Sequence, residues 1–238
     1  GGIVAPGRAY LGSDLGELAG IGRLGLAAGS AAGELIRGSD VAIEFSVATA
    51  TAAHATLAAE LGTPMVVGTT GLSAAETAAV HDAARRIPIV WAANTSLGIN
   101  LLLGLVEQAA ARLGADWDIE IIEMHHRGKA DAPSGTALAL GRAAASGRGV
   151  ALDAVAQRGR DGITGPRKSG DIGFAALRGG DAVGDHHVIF AGAGERLELS
   201  HRATNRAIYA KGAVRAARWV IGKPPGLYGM KQVLGLQA

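Results

Sequence analysis

The chain has 238 residues, 48% of them hydrophobic and 18% charged, with 37 glycines. That profile can bury a substantial core and excludes a disordered polyelectrolyte. Its 23 basic and 21 acidic residues nearly cancel to a formal charge of +2, and no Lys/Arg run marks a nucleic-acid surface. There is no cysteine, which excludes disulfides, thiolate zinc sites and a cysteine nucleophile. No uninterrupted apolar stretch of about 18 residues suggests a membrane span. The opening residues, Gly1-Gly2-Ile3-Val4, lack the charged-then-apolar order of a signal peptide and read as a strand entered partway. The expectation is a cytoplasmic protein whose sequence starts inside its first domain, with the first strand–helix unit upstream of residue 1.

From residue 41 onward, short apolar runs alternate with helical stretches. VAIEF (41–45) precedes an Ala-rich helical stretch, 48–61, and PMVV (64–67) precedes the turn Gly68-Thr69-Thr70-Gly71. A second helix opens at Ser73-Ala-Ala-Glu76, the capping pattern that satisfies free amides at a helix start. PIVW (88–91) is a third apolar run. Continuous apolar strands at this spacing predict βαβ units and a parallel sheet covered on both faces. After about residue 96 the pattern changes. A helical stretch, 97–113, leads to DIEIIEMHH (118–126), and another helix follows Ser134. Strand-like segments are predicted at 170–181 and 186–204, and helical periodicity returns at 205–222. The fold class is therefore α/β: a Rossmann-like parallel-sheet domain (1–96 plus 206–238) with an inserted α+β domain on a mixed sheet (97–205).

The densest polar cluster runs from Glu123 to Thr136, where a predicted strand ends in His125 and His126. A loop then carries Arg127 and Lys129 to a helix start at Ser134-Gly135-Thr136. Helix-start amides are ready donors to an anion, and a glycine lets the ligand approach the backbone. Lys129 adds a point charge, and the histidines exchange protons near neutral pH. The chemistry suited to this loop is holding a carboxylate-bearing substrate and moving a proton on it. The plain alternative is a solvated loop with a serine cap, since serine caps helices of any function. Adjacent histidines on a strand point to opposite faces, so the roles of His125 and His126 must differ. Gly68, Thr69 and Thr70, with Ala92, Ala93, Asn94 and Thr95, follow two predicted strands, at the edge where parallel α/β sheets bind ligands. Each alone is weak, and a GTTG stretch by itself is more often just a turn. No metal site is expected.

Taken together, the segments resemble the 4-hydroxy-tetrahydrodipicolinate reductase family. IEIIEMHHRGKADAPSGTAL (119–138) carries most of the likeness. The GTTG turn, Ala92–Ser96, GERLELSHRA (194–203) and the closing GLYGMKQVLGL stretch follow in the family's order, with LGSDLGELAG (11–20) ahead of them. The resemblance implies reduction of 4-hydroxy-tetrahydrodipicolinate with NADH or NADPH and loss of water. It implies His125 as proton donor or acceptor, Lys129 as a second proton donor, and His126 in contact with substrate. Gly135 and Thr136 would hold a carboxylate of the small dicarboxylate substrate, while Gly68, Thr69, Thr70 and Ala92 through Thr95 would line the dinucleotide site. A homotetramer joined through the second-domain sheets is implied too. Val4, Ala5 and Arg8 occupy the neighbourhood that meets the adenosine ribose, which leaves NADH against NADPH open. The competing readings are another two-domain amino-acid-pathway oxidoreductase and a non-catalytic remnant that retains the substrate and assembly domain.

Overall fold

The computed structural model describes residues 1–236, so the last two residues of the expected 206–238 segment lie outside the described residues. The chain divides into two compact units, Gly1–Ala93 with Ala213–Val233, and Asn94–Gly212 with the C-terminal residues from Leu234. Its elements begin with β1 (Gly2–Ile3), α1 (Leu15–Leu18), β2 (Ala28–Gly29), α2 (Ala32–Arg37) and β3 (Ala42–Glu44). They continue with α3 (Ala48–Leu61), β4 (Met65–Val67), α4 (Ala74–Ala84), β5 (Pro88–Trp91), α5 (Leu97–Leu113) and β6 (Asp118–His125). Then come α6 (Gly135–Gly147), α7 (Leu152–Val155), β7 (Ala156–Gln157), β8 (Ile172–Arg178) and β9 (Gly184–Gly192). The chain closes with β10 (Glu195–Ala203), α8 (Ala207–Val220), β11 (Gly226–Tyr228) and α9 (Met230–Val233).

The first unit holds a four-stranded sheet in the order β11-β5-β4-β3, every pair parallel, and a separate parallel pair β1-β2. All of β4 and the first three residues of β5 are buried, which is why both read as unbroken apolar runs. Ala55, Ala58 and Ala59 of α3 and Val80, Ala83 and Ala84 of α4 pack into one core with Met65, Val67 and Ile89. The expected capping box at α4 is present, with Ser73 and Glu76 exchanging bonds to each other's backbone. Helix α3 stops at Gly62, whose φ of 72° is open to glycine at little cost.

The second unit is a mixed five-stranded sheet in the order β10-β9-β6-β8-β7. The central strand β6 runs parallel to β8 and antiparallel to β9. Helices α5 and α6 cover one face and share a core with Ile119, Ile121, Ile172, Phe174, Val188 and Phe190. On the opposite face Ile122 and Met124 are half-buried and Leu177 is exposed. One expectation is corrected. The segment 186–204, read as one strand-like stretch, is a hairpin of β9 and β10 that turns at Gly194 with φ 84°, since a left-handed glycine at the reversal leaves the alternation on either side intact. Residues 1–37 also hold two short strands and two short helices, too brief to generate a periodicity.

Phe190 is fully buried and lies opposite Ile119 in the β6–β9 ladder. Phe190→Ala is therefore expected to cost about 3–5 kcal/mol in urea unfolding of this unit. A loss below about 1 kcal/mol would mean that the core is not centred on this strand pair.

Candidate active site

The side chains of β6 alternate, and Ile119 and Ile121 face the α5–α6 core. Two and four residues further on, the same face carries Glu123 and His125. Glu123 is only 1% exposed, a costly place for a charge unless it is fully partnered. Arg178, at the end of β8, meets it with both terminal nitrogens, Nη1 to Oε2 at 2.8 Å and Nη2 to Oε1 at 2.9 Å. The Ser134 amide donates to Oε1 at 3.1 Å, and His125 Nδ1 lies 2.5 Å from Oε2. Burial pushes the Glu123 carboxyl up, but the bonds from Arg178, His125 and Ser134 outweigh it and hold the group below the usual carboxylate range.

The same partners shape the loop between β6 and α6. Arg178 Nη2 also donates to the Asp131 carbonyl at 2.6 Å, while Lys129 Nζ pairs with the Asp131 carboxylate at 2.7 Å. That lysine holds the Asp131 carboxyl below its ordinary value. Backbone bonds from Gly179 to His125 and from Arg127 to Gly180 tie the loop to the end of β8.

Helix α6 opens with Ser134 as its cap, the hydroxyl accepting from the Ala137 amide at 3.1 Å. Gly135 is exposed, and a Cβ built there would meet nothing within 4 Å, so the helix start is uncrowded at that residue. Thr136 Oγ1 accepts from Asn94 Nδ2 at 3.3 Å. His126 and Lys129 are half-buried on the loop leading to this start. The structure thus brings together His125, Lys129, His126, Gly135 and Thr136, with Asn94 joined to them through Thr136.

His186, opposite Glu123 on β9, is 3% exposed. Its Nε2 lies 3.2 Å from Ser134 Oγ, and its ring meets His125 edge-on at 5.2 Å between centroids. Burial first, and then the nearby His125, push its value down to about 4, so the ring is neutral at physiological pH. Arg178, His186 and the central role of Glu123 were not legible as site features. The one signal was a glutamate on the alternation's buried phase.

In the first unit, Gly68, Thr69 and Thr70 follow β4, and Ala92 and Ala93 follow β5. Thr69, Thr70, Gly71, Leu72, Trp91 and Ala93 help to line a cavity of about 320 Å³. Thr69 Oγ1 is buried there without a hydrogen-bond partner, the condition of a group awaiting a polar ligand. Gly68 serves a different neighbour: a Cβ on it would overlap the Phe45 ring. Asn94 and Thr95 belong to the second unit. There Thr95 is buried and donates its hydroxyl to the Tyr209 carbonyl at 2.8 Å. Among the described residues no cluster of His, Asp and Glu has metal-holding geometry, and no helix is long and apolar enough to cross a membrane.

Two family models match the chain: dihydrodipicolinate reductase, N-terminus, over residues 1–95, and dihydrodipicolinate reductase, C-terminus, over residues 98–234. A 4-hydroxy-tetrahydrodipicolinate reductase of Parvibaculum lavamentivorans is 57% identical over 238 residues, covering 100% of this chain and 88% of the relative. One from Magnetococcus marinus is 54% identical over 232 residues, 98% of this chain and 87% of the relative. Among solved structures, a dihydrodipicolinate reductase from a Paenisporosarcina species, described with dipicolinate bound, superposes with a TM-score of 0.67. It is 26% identical, covering 81% of this chain and 73% of its own. An amine dehydrogenase from Mycobacterium smegmatis, 16% identical, shares the fold with a TM-score of 0.55 over 95% of this chain and 86% of its own.

A histidine whose folded value lies near 4, below the ordinary 6.5, takes up its proton more readily in the unfolded chain. Folding stability contributed by neutral His186 is therefore complete above about pH 6.5 and lost as the pH falls toward 4. The expected loss is on the order of 3 kcal/mol at the acid end of that window. In His186→Gln, urea midpoints measured between those pH values should fall more gently than in the wild type. Equal slopes would show that His186 is not buried in its neutral form.

Proposed function

The chain belongs to the dihydrodipicolinate reductase family, and on that premise we propose how its residues divide the work of the reaction. The enzyme is an oxidoreductase that uses NADH or NADPH to reduce 4-hydroxy-tetrahydrodipicolinate to tetrahydrodipicolinate with loss of water, a step of lysine and diaminopimelate biosynthesis. Its nicotinamide, when bound, supplies the hydride. The unpartnered Thr69 hydroxyl beside its cavity supports Thr69, Thr70 and Ala93 as residues that hold the dinucleotide. Gly68 and Ala92 would support that site through backbone shape.

The observation that carries the assignment of roles is the open α6 start beside an ion-paired lysine and a carboxylate-bound histidine. The free amides at Gly135 and Thr136 hold one substrate carboxylate, with Lys129 adding its charge. His126 contacts the substrate, and His125 exchanges the proton that accompanies reduction, with Lys129 as a second donor. The substrate is a small dicarboxylate, and the dipicolinate bound by the Paenisporosarcina relative is a planar dicarboxylate of that kind. We further propose a cytoplasmic homotetramer joined through the outer face of the second-unit sheet. Ile122, Met124, Ile189 and Leu177 form an apolar strip on that face, beside the charged Glu120, Arg160 and Arg167.

Steady-state kinetics with dipicolinate as competitor tests these roles. His125→Ala should lower kcat by roughly 10²–10⁴-fold, whereas His126→Ala should raise KM more than it lowers kcat. Lys129→Ala should weaken dipicolinate binding by about 1.5–3 kcal/mol. Equal defects in both histidine variants, or unchanged dipicolinate affinity without Lys129, would overturn the division.

A further inference from the structure

Resting on the role of His125 above, we propose that Glu123 is a positioning residue whose carboxylate accepts the Nδ1 proton of His125, leaving Nε2 as the ring nitrogen that exchanges a proton with the substrate. Both oxygens of Glu123 are engaged: Oε2 faces His125 Nδ1 at 2.5 Å and Arg178 at 2.8 Å, and Oε1 receives Arg178 and the Ser134 amide. With Arg178 balancing its charge, the glutamate is an ionised acceptor. A histidine facing such an oxygen through Nδ1 carries its proton there. A fixed tautomer matters because a ring protonated on the wrong nitrogen presents the wrong partner to the reacting atom.

The surroundings of Nε2 point the same way. On β9, an added Cβ at Gly184 would lie 3.0 Å from His125 Nε2 and 3.5 Å from His186 Cε1. Gly184 is not among the positive-φ glycines, so its backbone does not demand glycine. What the missing side chain provides is space at that nitrogen. The edge of the His186 ring, 77° from the plane of His125, fixes the plane in which Nε2 points. Among the described residues, the side chains facing His125 are Glu123 on its own strand, Arg178 on β8 and His186 on β9, and of these Glu123 meets Nδ1.

The test is nitrogen NMR of the full chain with ¹⁵N-labelled histidine, recorded about two pH units above the ordinary histidine value. The His125 signals are assigned by their loss in His125→Gln. The wild type should carry the proton on Nδ1. In Glu123→Leu/Arg178→Met, which removes both members of the ion pair together, the proton should move to Nε2, the form favoured by free histidine. A wild-type proton on Nε2 would overturn the proposal without any variant, as would an unchanged tautomer in the double variant. A purely structural role for Glu123, anchoring Arg178 and Ser134, would leave the tautomer where it was. These readouts need no turnover, so they fail separately from the catalytic role of His125. In a complementary arm, Gly184→Ala should keep the Nδ1 tautomer and lower kcat about tenfold or more by crowding Nε2. An unchanged kcat in that variant would remove Nε2 as the reacting nitrogen.

Discussion

An ionised carboxylate sealed from water at the end of a strand is the constraint on which the rest of the site depends. Glu123 cannot stay charged at 1% exposure unless every lone pair it offers is used. Its partners come from three places: the end of β8 through Arg178, the helix start through the Ser134 amide, and its own strand through His125. Satisfying the charge therefore fixes the relative positions of the proton-exchanging ring and the anion-holding helix start. Arg178 extends the same bond network to the Asp131 carbonyl, so the intervening loop is held as well. Removing one partner would leave the others buried and uncompensated, which is costlier than never having had the pair.

That architecture explains what sequence reasoning reaches and what it does not. The alternation of β6, the cap at Ser134 and the glycine after it are local, and their local patterns place His125, Lys129, Gly135 and Thr136 in one segment. The partners of Glu123 and Ser134 are not local. Arg178 lies 55 residues beyond Glu123, and His186 lies 52 beyond Ser134. Only the parallel β6–β8 and antiparallel β6–β9 registers bring them in. A glutamate on the buried phase of a strand is visible in sequence, but the identity of its counter-charge is a property of sheet topology. The hairpin at Gly194 was hidden for the opposite reason, since both of its arms alternate alike.

The first unit gives a comparable lesson in the GTTG turn. From sequence, its small residues read more readily as an ordinary turn than as room for a cofactor. The structure separates them: Gly68 is small because Phe45 packs against it, whereas Thr69 is buried with an unused hydroxyl at a cavity wall. Ala92 through Thr95 divide similarly, since Thr95 spends its hydroxyl on Tyr209 and Asn94 braces Thr136. Residues contiguous in a motif need not share a duty.

The account stands most directly on the claim that a carboxylate outside the ligand's reach governs ligand binding by holding the helix start and loop in place. Isothermal titration of dipicolinate into Glu123→Gln, on protein shown to be folded by circular dichroism, measures that. The account predicts an affinity at least about tenfold below the wild type, or roughly 1.4 kcal/mol, although the substitution changes one atom and touches no ligand. An affinity equal to that of the wild type would mean that the anion site is organised without Glu123, and would contradict the account at its centre.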